Sequence, residues 1–219
     1  MERLPDDRPG ASGTVTRIIM LRHGETLWNR AGKMQGQADV ELSEHGREQA
    51  RCAAKELAQY PFDAVWSSPL ARALETAHTV ASGRELEVQV DPRLGEINMG
   101  SWAGHTWQEV MATHPGWFEK LRAGEDFRRS DSGETAQEMA RRGTRALNDI
   151  AAKHPGQTVL VGTHGFFTRV VAASLLGLSG FGRGLGTLGN AHWADLSHDD
   201  AGWTLMGYNL GGAQPHATK

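Results

Sequence analysis

The chain has 219 residues, with 23 lysines and arginines against 26 acidic side chains, a formal net charge of -3 at pH 7. Its 39% hydrophobic and 22% charged content is enough to bury one sizeable core and too balanced for a disordered chain or a generic nucleic-acid binder. A single cysteine, Cys52, excludes an internal disulfide, a cysteine-based zinc site and a CxxC redox pair, and points to a reducing compartment. No stretch of about 18 apolar residues offers a membrane span, and Met1 to Gly13 lacks the apolar centre of a secretion signal, so a cytoplasmic location without a membrane partner is expected.

In chain order, residues 1–13 read as a flexible tail rich in Pro, Gly and charge, 14–210 as a single domain, and 211–219 as a second tail. Ile18-Ile19-Met20-Leu21 is apolar on consecutive positions, the pattern of a strand buried on both faces. Ser43 is placed to cap a helix whose stripe is Ala50, Ala53, Ala54 and Leu57, with Pro61 ending it. Ala64 to Ser67 predicts a second strand, Pro69 a helix start with Leu70, Ala73, Leu74 and Ala77 on one face, and Leu86 to Val90 a third strand. Periodicity is poor from Arg93 to Ser132, so a lid insert is expected over about 97–134. Thr135-x-x-Glu138 is a capping box opening a helix with Met139, Gly143, Ala146, Leu147 and Ile150 on one side. Thr158 to Val161 predicts another doubly buried strand. A helix carrying Phe167, Val170, Val171 and Leu175 follows, then a glycine-rich loop over 177–189 and two last strands near Ala191–Leu196 and Trp203–Tyr208. Alternating strands and helices predict an α/β fold, with a mainly parallel central sheet and helices on both faces.

In such a sheet ligands bind beyond the carboxyl ends of the strands. The first strand is followed by Arg22-His23-Gly24, the second by Ser67-Ser68-Pro69-Leu70-Ala71-Arg72, and the Thr158 strand by Gly162-Thr163-His164-Gly165. Two guanidinium groups and two imidazoles converging on one edge suit a small polyanion. Arginine matches phosphate oxygens in planar, bidentate fashion, and a neutral imidazole nitrogen can attack phosphorus. Gly24 and Gly165 would let backbone N–H groups approach a phosphate. An acid for the leaving group is also needed, and Glu96 at the start of the insert is a candidate that spacing alone does not select over other acidic residues.

At these residues the chain resembles the histidine phosphatase superfamily, also called the phosphoglycerate mutase-like family. The resemblance runs through Leu21-Arg22-His23-Gly24-Glu25-Thr26 with Trp28-Asn29, Gln35-Gly36, Leu42-Ser43, the Ser67 to Ala73 run with Thr76-Ala77, Glu96 with Gly100 to Gly104, Gly133-Glu134 and Thr163-His164-Gly165. It implies that His23 becomes phosphohistidine, that Arg22, Arg72 and His164 hold the phosphoryl group, and that Glu96 is the proton donor. It further implies a phosphate contact from Asn29, a substrate-side loop around Gln35 and Gly36, and no metal or other cofactor. The insert departs from the mutase pattern directly after Glu96 although it contains Lys120, Arg122 and Arg128-Arg129. Hydrolysis of a small phosphorylated metabolite is therefore the expected activity, with a cofactor-dependent mutase and a non-catalytic phosphate-binding module as alternatives. Within the family, Met34 to Gln37 with Asp39, Glu41 to Ser43, and Leu188 to Ala191 with Trp193 are similar to the actinobacterial glucosyl-3-phosphoglycerate phosphatases. A homodimer is compatible with the sequence.

The remaining conspicuous residues have ordinary readings. His78, His105, His114, His154, His192, His198 and His216 are expected at the surface or in routine hydrogen bonds. Trp102 and Trp107 are expected to pack in the lid, with sugar stacking as the alternative. Arg128-Arg129 reads as a solvated pair, Cys52 as a small helix-face residue, and 177–189 lacks the P-loop pattern.

Overall fold

In the computed structural model, which describes residues 14–212, the expected sheet has six strands: β1 (Thr16–Arg22), β2 (Ala64–Ser67), β3 (Val88–Val90), β4 (Thr158–Thr163), β5 (Trp193–Asp199) and β6 (Gly202–Leu210). The tail expected over 1–13 and the end beyond 212 lie outside the described residues. Helices α1 (Leu27–Arg30), α2 (Glu44–Glu56), α3 (Ala71–Ala81), α4 (Trp107–Thr113), α5 (Trp117–Ala123), α6 (Ala136–Lys153) and α7 (Gly165–Leu175) complete the fold. The strand order is β3-β2-β4-β1-β5-β6, parallel through β1 and antiparallel where β5 and β6 join. No described helix is long and apolar enough to cross a membrane.

Successive strand side chains point to opposite faces, and the consecutive apolar runs are divided accordingly. Ile18 and Met20 of β1 and Val159 and Val161 of β4 enter one core with Met139, Leu147 and Ile150 of α6 and Phe167 of α7. Ile19, Leu21, Val65 and Leu160 enter the other, with Ala53 of α2 and Ala77 and Val80 of α3. Each of these side chains larger than alanine contributes about 1.5–3 kcal/mol on burial, and the two cores together hold the parallel strand ends at one edge.

Local signals set most helix starts. Ser43 Oγ accepts from Gly46 N at 3.0 Å, and Thr135 with Glu138 forms the expected capping box. α3 begins two residues after Pro69, and its first N–H, from Ala71, donates 2.7 Å to Asp39 of a distant loop. Three features differ from expectation. A one-turn helix, α1, is set by a Thr26–Asn29 capping box. β3 starts at Val88 because Glu85 takes φ +54° ahead of it, and β5 starts at Trp193 after Ala191 takes φ +56° and donates to the His23 carbonyl. The insert over 97–134 holds two short helices, α4 and α5, and a satellite core of Met34, Trp102, Val110 and Trp117.

Two glycines bring α2 against the loop after β1. A Cβ on Gly24 would lie 2.2 Å from Gly46 O, and one on Gly46 would lie 2.0 Å from Glu25 O. Backbone is in contact with backbone, so nothing flexible can yield. Gly46→Ala is expected to lower stability by about 1–3 kcal/mol, the range for overpacking a tight core, as a fall in the urea midpoint with an unchanged denaturant slope.

Candidate active site

Arg72, in the first turn of α3, is fully buried. Its guanidinium donates to Gly36 O at 2.7 Å, to Ala38 O at 2.8 Å and to His23 Nε2 at 3.3 Å. Burial pulls its pKa down to about 10, while the charges of Glu96 and Asp39 work against that shift, so it remains a cation at neutral pH.

His23, directly after β1, has Nδ1 2.7 Å from Gly24 O. Nδ1 must therefore carry the proton, and Nε2 keeps the lone pair that accepts from Arg72. Burial first, then the charges of Arg72 and Arg22, hold the His23 pKa well below the usual histidine value. His164, capping α7 after β4, lies with its ring centroid 5.3 Å from that of His23. Burial and then the Arg72 charge depress its pKa in the same way. Its Nε2 is 2.9 Å from Ser68 Oγ, which also accepts from Leu70 N. Its Nδ1 is buried without a partner among the described residues, as is Arg22 Nε. Arg22 is anchored through Nη1 to the Leu188 carbonyl, and burial lowers its pKa too.

Glu96 is held by backbone alone. Oε1 accepts from Ile97 N at 2.8 Å and Phe167 N at 2.9 Å, and Oε2 accepts from Phe166 N at 3.1 Å. The carboxyl group thus supplies the first turn of α7 with the cap that His164 does not provide, where helix N–H groups favour negative charge. Oε2, with one bond against two, is the oxygen with capacity for a proton. Arg142 fixes the strand of chain bearing Glu96 by donating to the carbonyls of Arg93, Gly95 and Glu96, while Glu134 holds its guanidinium at 2.8 Å. The arginines nearest to Glu96 in sequence are engaged elsewhere: Arg93 bonds Asp91 and Asp149, and Arg84 bonds the carbonyls of Leu57 and Tyr60.

Arg22, His23, Asn29, Gln35, Gly36, Arg72, Glu96 and Gly165 line one cleft of about 330 Å³, with His164 buried against His23 behind it. Asn29 Oδ1 is occupied by Thr26 and Asn190, which leaves its Nδ2 as the available donor. Gln35 is buried with Oε1 unpartnered. Gly36 takes φ +51°, and a Cβ there would lie 2.9 Å from Met99.

Gly165 lines the cleft, and a Cβ there would stand 3.0 Å from Arg22 Nε. Two readings are corrected. Gly24 N–H is taken by Thr76 Oγ1 at 3.2 Å, and the residue is glycine because of Gly46 rather than a phosphate. Arg129 is not solvated: it is 6% exposed, paired with Asp126 at 3.1 Å and stacked over Phe127, whereas Arg128 is half-exposed and pairs with Glu138. Sequence reasoning missed the parts played by Ser68, Arg142 and Asn190, and it missed Arg169, which lines the cleft. A lone cation in the apolar run of α7 was the available signal for Arg169; Ser68 and Asn190 had none beyond lying in quoted motifs, and Arg142 had none.

Fold and site define a phosphoryl-binding α/β enzyme, with two arginines for the anion and a neutral imidazole nitrogen among them. The chain belongs to the histidine phosphatase superfamily (branch 1), whose profile matches residues 18–211, and is a phosphoric monoester hydrolase by class. It is 35% identical over 173 residues to phosphoserine phosphatase 1 of Hydrogenobacter thermophilus, covering 75% of this chain and 78% of that protein. It is 36% identical over 192 residues to the glucosyl-3-phosphoglycerate phosphatase of Mycolicibacterium vanbaalenii, covering 84% of each. The native structure of a mycobacterial glucosyl-3-phosphoglycerate phosphatase superposes with a TM-score of 0.82 at 33% identity, over 90% of this chain and all of that one.

The depressed histidine pKa values carry a stability consequence. At mildly acid pH the unfolded chain binds protons that folded His23 and His164 refuse, so their contribution is full above about pH 6.5 and is lost as pH falls toward the lower folded values. Urea unfolding at pH 7.5 and pH 5.5 should show a loss of stability on acidification that is smaller in His23→Ala; an equal loss in both proteins contradicts the assignment.

Proposed function

We propose that the protein hydrolyses a small phosphorylated metabolite by two in-line displacements at His23. The observation that carries the reading is the state of His23: Nδ1 is bound to Gly24 O and Nε2 is unprotonated, 3.3 Å from Arg72 Nε, in a cleft shared with Arg22 and Glu96. A lone pair held beside a fixed cation suits attack on phosphorus.

In the first step Nε2 attacks phosphorus, the P–O bond to the alcohol breaks, and Glu96 Oε2 gives the departing oxygen its proton. In the second, Glu96 takes a proton from water, whose oxygen displaces Nε2 and releases inorganic phosphate. Arg22 and Arg72 neutralise charge on the equatorial oxygens, the dominant requirement in phosphoryl transfer. His164 adds its buried imidazole and Asn29 its Nδ2. Gln35 and Gly36 form the wall on the substrate side. The arginines occupy the charge-neutralising role that a metal would otherwise fill, and no cofactor enters the scheme.

For the substrate, likeness to proteins named glucosyl-3-phosphoglycerate phosphatase and phosphoserine phosphatase supports a phosphoester of a small carboxylic acid, with glucosyl-3-phosphoglycerate or a sugar phosphate as the first compounds to assay. Isomerisation of 3-phosphoglycerate in the presence of 2,3-bisphosphoglycerate would favour a mutase. Tight binding of phosphoesters without turnover would favour a binding module.

Labelled phosphoester quenched in alkali is expected to leave acid-labile phosphate on the wild type and none on His23→Ala; a fully active wild type that never carries label contradicts the mechanism. Glu96→Gln should cost about 10²–10⁴ in kcat/KM on alkyl esters, the usual worth of a general acid, and far less on p-nitrophenyl phosphate, whose leaving group hardly needs a proton. Equal losses on both esters would refute the acid role.

A further inference from the structure

Beside the phosphoryl cleft lies a second cavity of about 210 Å³, and the two share Met99, Trp107, Phe166 and Arg169. Its remaining wall is mainly aromatic, with Trp102, Trp117 and Phe127 from the insert. Trp107 stacks on Trp117 at 5.1 Å and 25°, and is 43% exposed at the rim. A cavity lined in this way repels water, yet it is not chemically silent. Trp102 Nε1, Trp117 Nε1 and Arg169 Nε are all buried without an acceptor among the described residues, and all three side chains line it. An unmet buried donor costs about 1–3 kcal/mol, so the chamber walls carry polar groups that no described residue satisfies.

Arg169 is the decisive member. The other cation of the chamber, Arg129, is paired with Asp126. Arg169 has no carboxylate partner among the described residues and lies over the Phe166 ring at 5.0 Å. It stands four residues beyond Gly165 on α7, about 6 Å along the helix, while the N–H groups of Phe166 and Phe167 hold Glu96. Arg169 lines both cavities, and Glu96, the proton donor, lines the phosphoryl cleft with it. A partly buried cation without an anion is unfavourable, and a planar guanidinium suits a carboxylate.

We propose that this chamber receives the leaving alcohol and that Arg169 is its specificity-determining residue, selecting phosphomonoesters whose alcohol carries a carboxylate on a ring-sized body. The proposal rests on the hydrolase reading above and deepens it. The volume suits a six-membered ring with a substituent, since an apolar cavity of about 150 Å³ admits benzene. The indole faces take the carbon side of the ring and the guanidinium takes the carboxylate.

The test uses two esters of nearly equal leaving-group acidity, 4-(carboxymethyl)phenyl phosphate and its primary amide. The wild type is expected to favour the carboxylate about tenfold or more in kcat/KM, with the ratio near one in Arg169→Ala and partly kept in Arg169→Lys. A ratio near one in the wild type, or a ratio unchanged in Arg169→Ala, overturns the proposal. A binding arm separates it from the hydrolase reading. Tryptophan fluorescence of His23→Ala is titrated with both esters and should give a Kd at least about fivefold lower for the carboxylate, a preference lost in His23→Ala/Arg169→Ala. If the wild type hydrolyses neither ester while that preference is present, the hydrolase reading fails and the chamber assignment stands. If both esters bind alike, the chamber assignment fails whatever the turnover.

Discussion

The buried charge of Arg72 is the constraint on which the site depends. An ion withdrawn from water costs several kcal/mol unless other groups replace its hydration, and Arg72 meets that requirement with the carbonyls of Gly36 and Ala38 and the Nε2 of His23. The loop after α1 must therefore pass over α3, which it does with Gly36 at φ +51° against Met99 of the insert, and Asp39 of the same loop caps α3. The same charge, after burial, keeps both histidines unprotonated. One guanidinium thus organises a loop, a helix start and the protonation state of the nucleophile.

The acid is positioned by a different means. Glu96 belongs to no regular element, yet three backbone N–H groups hold its carboxyl, two of them from the first turn of α7. That helix begins at His164, so the second imidazole and the acid share one structural origin: the end of β4. Arg142 of α6 completes the arrangement by gathering three carbonyls before and at Glu96. Its counter-charge, Glu134, comes from a motif that the family resemblance marks without explaining.

The insert has a core of its own, and this decides how it serves the site. Met34, Trp102, Val110 and Trp117 bury one another apart from the two main cores, and Met99 bridges that cluster and the cleft. Met34 of that cluster also lines the cleft, so the packing of the lid bears directly on the phosphoryl pocket.

The sequence alone determined the sheet, its doubly buried strands, the capped helices α2 and α6, and the set Arg22, His23, Arg72 and His164. Consecutive apolar residues, cap motifs and residues following strands are local patterns that survive any detail of packing. It did not reveal why Gly24 is glycine, that Arg129 is buried while Arg128 is half-exposed, or what holds Glu96, which the family resemblance picked out, in the cleft. These depend on contacts between segments far apart in the chain: Gly24 with Gly46, Arg129 with the ring of Phe166, Glu96 with the N–H groups of α7. Only the tertiary structure decided them, because a side chain's burial and its partners are properties of the packed chain, whereas the period of its apolar residues is written in the order of the residues themselves.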